Sequence, residues 1–314
     1  MKRNFIYFLL IIFFFIMLIF PEMVLKGATC GLLLWFQTVL PTLLPFLILS
    51  SLLINTPAIH ILVNITSPMF CRLFNVSKYG SFAVLCGFLC GYPMGGKITS
   101  DLLSTQKITK NEAQYLLSFC NNTSPMFIIS YVMHQTLNIP HLILPAICIL
   151  FLSPVLCSFL FRRFYLISYK TTLLSSHKNT ALYMDSTQKS QNLIDECIMK
   201  SFETITKIGG YIILFSILIN LVSMLPITHS ILKYTFLPFL EITNGVLSLS
   251  QSMISFQDKF VVIMALISFG GWCSIAQTQS IISNVGIPLF PYIIQKLITA
   301  LVTSLLTFIF FQLY

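Results

Sequence analysis

Long apolar runs almost free of charge constrain this chain more than any other feature. The first, residues 5–20, holds 16 residues and no charged side chain. Only 9% of the 314 residues are charged and 56% are hydrophobic, whereas a soluble domain carries about 25% charged residues. A surface of that composition must face lipid. The cations gather between the runs, at Lys2 and Arg3, at Arg72, Lys78, Lys107 and Lys110, and from Arg162 and Arg163 through Lys189. That clustering is the pattern of cytoplasmic loops under the positive-inside bias. Both termini and the linker 162–195 are therefore expected in the cytoplasm. The net charge of +9 makes no case for a nucleic-acid partner, because no cationic stripe alternates with exposed polar residues.

Residues 5–20 resemble a secretory signal, but Pro21, Glu22 and Met23 follow directly and supply no small-residue cleavage site. The run reads as a retained first transmembrane helix whose flanks bring it to the roughly 20 residues a bilayer needs. Spans are expected at 4–21, 29–54, 112–136, 140–162, 198–224 and 288–313. The polar, interrupted stretch 55–78 reads as an interfacial helix, and 226–247 as its counterpart. Segments 79–106 and 258–285 each carry an apolar arm of about ten residues, a glycine-rich knot and a second short arm. Ten helical residues rise only about 15 Å, half of the hydrocarbon core. Both segments therefore read as re-entrant hairpins, which are tolerated at depth only against protein or a wet cavity.

The two halves resemble each other. Phe36-Gln37-Thr38-Val39 and Ser50 align with Phe202-Glu203-Thr204-Ile205 and Ser216, and Gly91-Tyr92 and Ser100 align with Gly271-Trp272 and Ser280. Counting spans from a cytoplasmic N-terminus gives the halves opposite orientations. The expected fold is an all-α polytopic membrane protein, an inverted repeat of two halves with about six transmembrane helices and two re-entrant hairpins. Its parts are an N-terminal helix at 1–24, a first repeat at 25–165, a cytoplasmic linker at 166–194 and a second, inverted repeat at 195–314. Such architectures place the ligand near the bilayer midplane, where the broken elements meet.

Two segments carry a family resemblance: Gly91-Tyr92-Pro93-Met94-Gly95-Gly96-Lys97-Ile98-Thr99-Ser100-Asp101-Leu102 and Leu117-Ser118-Phe119-Cys120-Asn121-Asn122-Thr123-Ser124-Pro125-Met126-Phe127. The chain resembles, from about residue 25, the sporulation integral membrane protein family called YlbJ, which carries a nucleoside-recognition Gate domain similar to the repeats of concentrative nucleoside transporters. The resemblance implies a multi-pass protein of a bacterial cell membrane, the forespore membrane among them. It also implies transport of dipicolinic acid, the spore-core dicarboxylate.

The candidate ligand-binding residues follow from the tips and the break. In the first hairpin they are Gly91, Tyr92, Gly95, Gly96, Lys97, Thr99 and Ser100. A short helix starting near Gly96 would turn free N–H groups and the positive end of its dipole to the tip, and Lys97 adds a full charge unless it snorkels to the surface. That arrangement suits a small-molecule anion. In the second hairpin, Gly271, Ser274, Gln277 and Gln279 offer neutral donors and acceptors, for a wet cavity or for bonds between hairpins. Asn121, Asn122 and Ser124 lie beside Pro125, which removes a backbone donor and should unwind the span there. Glu203 and Lys207 have the spacing of a helical ion pair, while Asp101 and Glu112 flank the mouth of the first hairpin.

Neither metal nor cofactor is expected. Cys86 and Cys90 stand four apart, but no second cysteine or histidine pair at ligand spacing accompanies them. Phosphate-cradling loops and serine elbows are also missing from the sequence, so no enzymatic activity is expected. A carrier or channel is the favoured reading, with lipid as its surroundings; a membrane scaffold, a nucleoside-type carrier and a homo-oligomer stay open.

Overall fold

A backbone in lipid finds no water to bond, so each apolar run must satisfy its own N–H and C=O groups, and it does so as helix. The computed structural model describes residues 2–165, 190–224 and 237–313, and every regular element among them is helical. Most of the linker expected at 166–194, and the first half of the interfacial counterpart expected at 226–247, fall outside these residues. Helix α1 (Lys2–Ile19) precedes α2 (Pro21–Leu34), whose first position is a proline, where the missing N–H has no partner to lose. A π-helical turn, Trp35–Val39, carries α2 on into α3 (Leu40–Asn55). Among the described residues, five runs are long and apolar enough to cross a membrane: Pro21–Asn55, Pro140–Tyr165, Leu193–Ser223, Phe256–Val285 and Leu289–Leu313.

Helix α4 (Ile59–Phe74) occupies the stretch expected at the interface. It meets α5 (Lys78–Leu89) at 89°, with left-handed Asn75 (φ 57°) at the corner. Beyond the tip at 90–93 comes α6 (Met94–Ser104). Residues 87 and 95 of one straight helix would stand about 12 Å apart. Instead, a Cβ on Gly87 or on Gly95 would collide with the same atom, the carbonyl oxygen of Cys120. The chain therefore doubles back at the tip, as expected of a hairpin. Lys107, in the turn after α6, donates to the carbonyl of Ile54 at the end of α3. Burial draws its ammonium below the ordinary lysine value.

Helix α7 (Lys110–Cys120) ends at an unwound stretch, 121–124, and a π-helical segment (Phe127–Thr136) follows. The break lies where Pro125 predicts it. After α8 (Ile143–Tyr165) come α9 (Ser190–Ser223), α10 (Ile242–Ser250), α11 (Phe256–Phe269), α12 (Gly271–Ile282) and α13 (Leu289–Leu313).

The second expected hairpin, 258–285, is corrected by the structure. Phe256–Val285 forms one run of 30 residues that qualifies as a span by itself. Its first arm has 14 residues rather than ten, and the second arm remains apolar enough to complete a crossing. Gly270 and Gly271, with φ of 89° and 79°, interrupt the run. Gly270 terminates α11 in a left-handed cap that returns its N–H to Leu266.

The halves lock together through α2 and α9. A Cβ on Gly27 would stand 2.7 Å from the Cα of Ile217, and one on Gly31 equally close to the Cα of Ile213. Two glycines four apart thus let the backbones touch, the close packing that lipid-embedded helices favour. Trp35 Nε1 adds a hydrogen bond of 2.9 Å to the carbonyl of Ile205.

Candidate site at the junction of the broken helices

Each interruption leaves backbone groups without helical partners, and the two interruptions satisfy each other. The break at Gly270 exposes the last carbonyls of α11. Thr123 donates to Ile267 O at 2.9 Å and Tyr92 OH to Ser268 O at 2.8 Å. On the other side, Leu240 O accepts from Cys273 N at 2.9 Å near the start of α12. The ring of Tyr92 lies so close to Gly270 that a Cβ there would stand 2.7 Å from it. The two tips meet as the sequence predicts, although only the first belongs to a hairpin.

Asn121 is the knot of this junction. Its side-chain NH2 donates to Thr278 Oγ1 at 3.0 Å and to Tyr292 OH at 2.8 Å. Its Oδ1 accepts from Gly96 N at 3.3 Å, and its carbonyl accepts from Lys296 Nζ at 3.1 Å. One asparagine therefore ties α6, α12 and α13 to the break in the 110–136 span. Asn122 donates to Phe119 O at 2.6 Å, and its Oδ1 lies 3.5 Å from Lys296 Nζ.

A cavity of about 450 Å³ opens beside the junction. Of the predicted residues it is lined by Gly91, Tyr92, Ser124, Ser274 and Gln277, joined by Thr123, Phe127, Tyr131 and Gly270. Gly95, Gly96, Asn121 and Asn122 stand behind that lining as packing and hydrogen-bonding residues. Gly271 packs against the backbone of Phe239 and Ile242. Thr99, Ser100 and Gln279 lie outside the cavity lining, and Ser100 donates across the α6–α12 contact to Ile281 O at 3.3 Å.

Lys97 also lies outside the cavity, and the charge assigned to it is cancelled. Its ammonium is 2.5 and 2.7 Å from the two oxygens of Asp101. An (i, i+4) spacing on α6 brings the pair together, so Lys97 gives the tip no free positive charge. Glu203 and Lys207 pair at 2.6 Å on the exposed side of α9, as their spacing predicts.

Two residues at the junction escaped the sequence reading. Glu241, 3% exposed, lines the cavity and caps α10, its carboxylate accepting from Thr243 N, Asn244 N and Asn244 Nδ2 at 2.8–2.9 Å. Lys296, 1% exposed, is the single charged residue of α13, and its ammonium sits 4.8 Å from the centre of the Tyr92 ring. A lone charge inside an apolar span was the signal for it, since such residues are functional candidates by default. Among the described residues no group of three or more histidine, cysteine or carboxylate side chains is placed to hold a metal.

No family model matches this sequence, and no solved structure matches it. The sporulation integral membrane protein YlbJ of Bacillus subtilis (strain 168) is 26% identical over 309 residues, an alignment covering 88% of this chain and 75% of the relative.

Proposed function

We propose that this chain, a member of the YlbJ family of sporulation integral membrane proteins, is a carrier or channel for a small anionic metabolite, dipicolinate during spore formation. The observation that carries this reading is the junction itself. Two glycine-broken segments and one unwound span converge on a polar knot beside a cavity of about 450 Å³, within the roughly 300–1,000 Å³ of small-molecule sites. Irregular backbone inside a membrane is costly unless it lines a cavity, and carriers use it to hold their ligands. The lining combines aromatic faces, Tyr92, Phe127 and Tyr131, with a few hydroxyls and the amide of Gln277. That mixture suits a flat ring bearing polar oxygens. Among the described residues, Glu241 is the one carboxylate in that lining, and both of its oxygens accept from N–H groups at the start of α10.

The test is uptake of labelled dipicolinate by the purified protein in liposomes. Uptake above that of protein-free liposomes, reduced several-fold by Gln277→Ala at equal protein content, is expected. Liposomes with and without the protein taking up dipicolinate equally would remove the carrier reading and leave that of a scaffold.

A further inference from the structure

Among the described lysines, Lys296 stands in an exceptional position. Lys97, Lys200 and Lys207 each hold a carboxylate. Lys107 and Lys259 donate to the backbone carbonyls of Ile54 and Ser250, both at helix ends. Lys296 is almost wholly buried, and its hydrogen-bond partners are the neutral oxygens of Asn121 and Asn122. No ion pair of Lys296 occurs among the described residues. An ammonium taken out of water needs an opposite charge or a dense set of acceptors to compensate it, and two neutral oxygens and a ring face fall short of that. Tyr92 links it to the cavity. Tyr92 lines the cavity, lays its ring over the ammonium at 4.8 Å, and is held by a hydroxyl bond of 2.8 Å to Ser268 O.

We propose that Lys296 is the residue that selects an anionic ligand at this site, and that Tyr92 is the shutter between it and the cavity. With Tyr92 latched on Ser268, the ammonium rests against the ring and the two asparagine oxygens. With the latch released, a ligand carboxylate takes the place of the ring and forms the ion pair that the protein itself withholds. Ring and carboxylate compete for one cation, so ligand entry and shutter opening are the same event. The inference rests on the carrier reading and assigns its charge selection to Lys296 in place of Lys97.

The experiment measures uptake kinetics in liposomes for the wild type, Lys296→Met, Lys296→Arg and Tyr92→Phe, with dipicolinate as substrate and its neutral diamide as competitor. A charge-assisted hydrogen bond is worth roughly 10- to 150-fold in affinity. On the wild type, the diamide should therefore compete at least about 10-fold less well than unlabelled dipicolinate. Lys296→Met should raise KM for dipicolinate by at least about 10-fold and erase the preference for the anion over the diamide, while Lys296→Arg keeps part of both. Tyr92→Phe, which removes only the latch, should lower KM and keep the anion preference. Wild-type KM and preference in Lys296→Met would overturn the assignment and leave the carrier standing. Equal competition by the diamide on the wild type would overturn it without recourse to any variant. An unchanged KM in Tyr92→Phe would overturn the shutter. Absence of uptake by the wild type would remove the carrier reading itself, and this inference with it.

Discussion

Gly87→Ala and Gly95→Ala test whether the first hairpin is built around one backbone atom. At either position the added Cβ would fall more than 1 Å inside the 3.4 Å at which ordinary contact with Cys120 O begins. That oxygen is backbone, so no rotamer change relieves the overlap, and α5 or α6 must separate from α7. Overpacking of this kind costs about 1–3 kcal/mol, and the upper end applies where backbone is struck. Against it stands the gain of about 1 kcal/mol for replacing a helical glycine by alanine. The net loss of about 2 kcal/mol lowers the melting temperature of a chain this long by roughly 3 °C. Two substitutions serve as controls. Gly210 is exposed on α9 with no atom within 4 Å of its Cβ position, and Gly96 finds its nearest neighbour at 3.4 Å. Gly210→Ala should therefore raise the melting temperature by about 1–2 °C, and Gly96→Ala should leave it near that of the wild type. The assay is thermal unfolding of the four purified variants in one detergent. If Gly87→Ala and Gly95→Ala melt with Gly210→Ala, the close approach to Cys120 is wrong.

Asn121→Ala strips α6, α12 and α13 of their shared side-chain partner and leaves Gly96 N and Tyr292 OH buried without it; a loss of about 2–3 kcal/mol is expected in denaturant titration. Glu241→Ala removes the cap of α10 and should cost about 1–2 kcal/mol, read by hydrogen exchange concentrated in 242–250. Lys97→Gln breaks only a partly exposed helical pair, so both stability (within about 1 kcal/mol) and dipicolinate uptake should stay near wild type. A large loss of uptake in Lys97→Gln would return the anion argument to the first tip.

Hydropathy made four of the expected spans legible, 29–54, 140–162, 198–224 and 288–313, while those at 4–21 and 112–136 are not among the described runs that qualify; Pro125 and the tip glycines made two of the interruptions legible, because both kinds of signal act within a few residues. What the second glycine pair does was not legible. Gly270 and Gly271 break α11 from α12, but whether a break reverses the chain depends on packing against α6 and α9, which local residues do not encode. Lys97 misled for a different reason. Its charge was visible in the sequence, and so was the (i, i+4) spacing to Asp101 that cancels it; the miss lay in treating that carboxylate as a flank of the hairpin mouth and not as the partner of Lys97. Lys296 was visible too, as one cation in an apolar helix. Its importance emerges only when α13 brings it under Tyr92, more than 200 residues away in the chain.

The most direct measurement is an experimental structure of the purified protein with dipicolinate bound. The ligand should lie in the cavity between Tyr92, Ser124 and Gln277, with one carboxylate within ion-pair distance of Lys296 Nζ and the Tyr92 hydroxyl withdrawn from Ser268. A ligand seated elsewhere, or one in the cavity with Tyr92 still latched over an unpaired Lys296, would contradict the account.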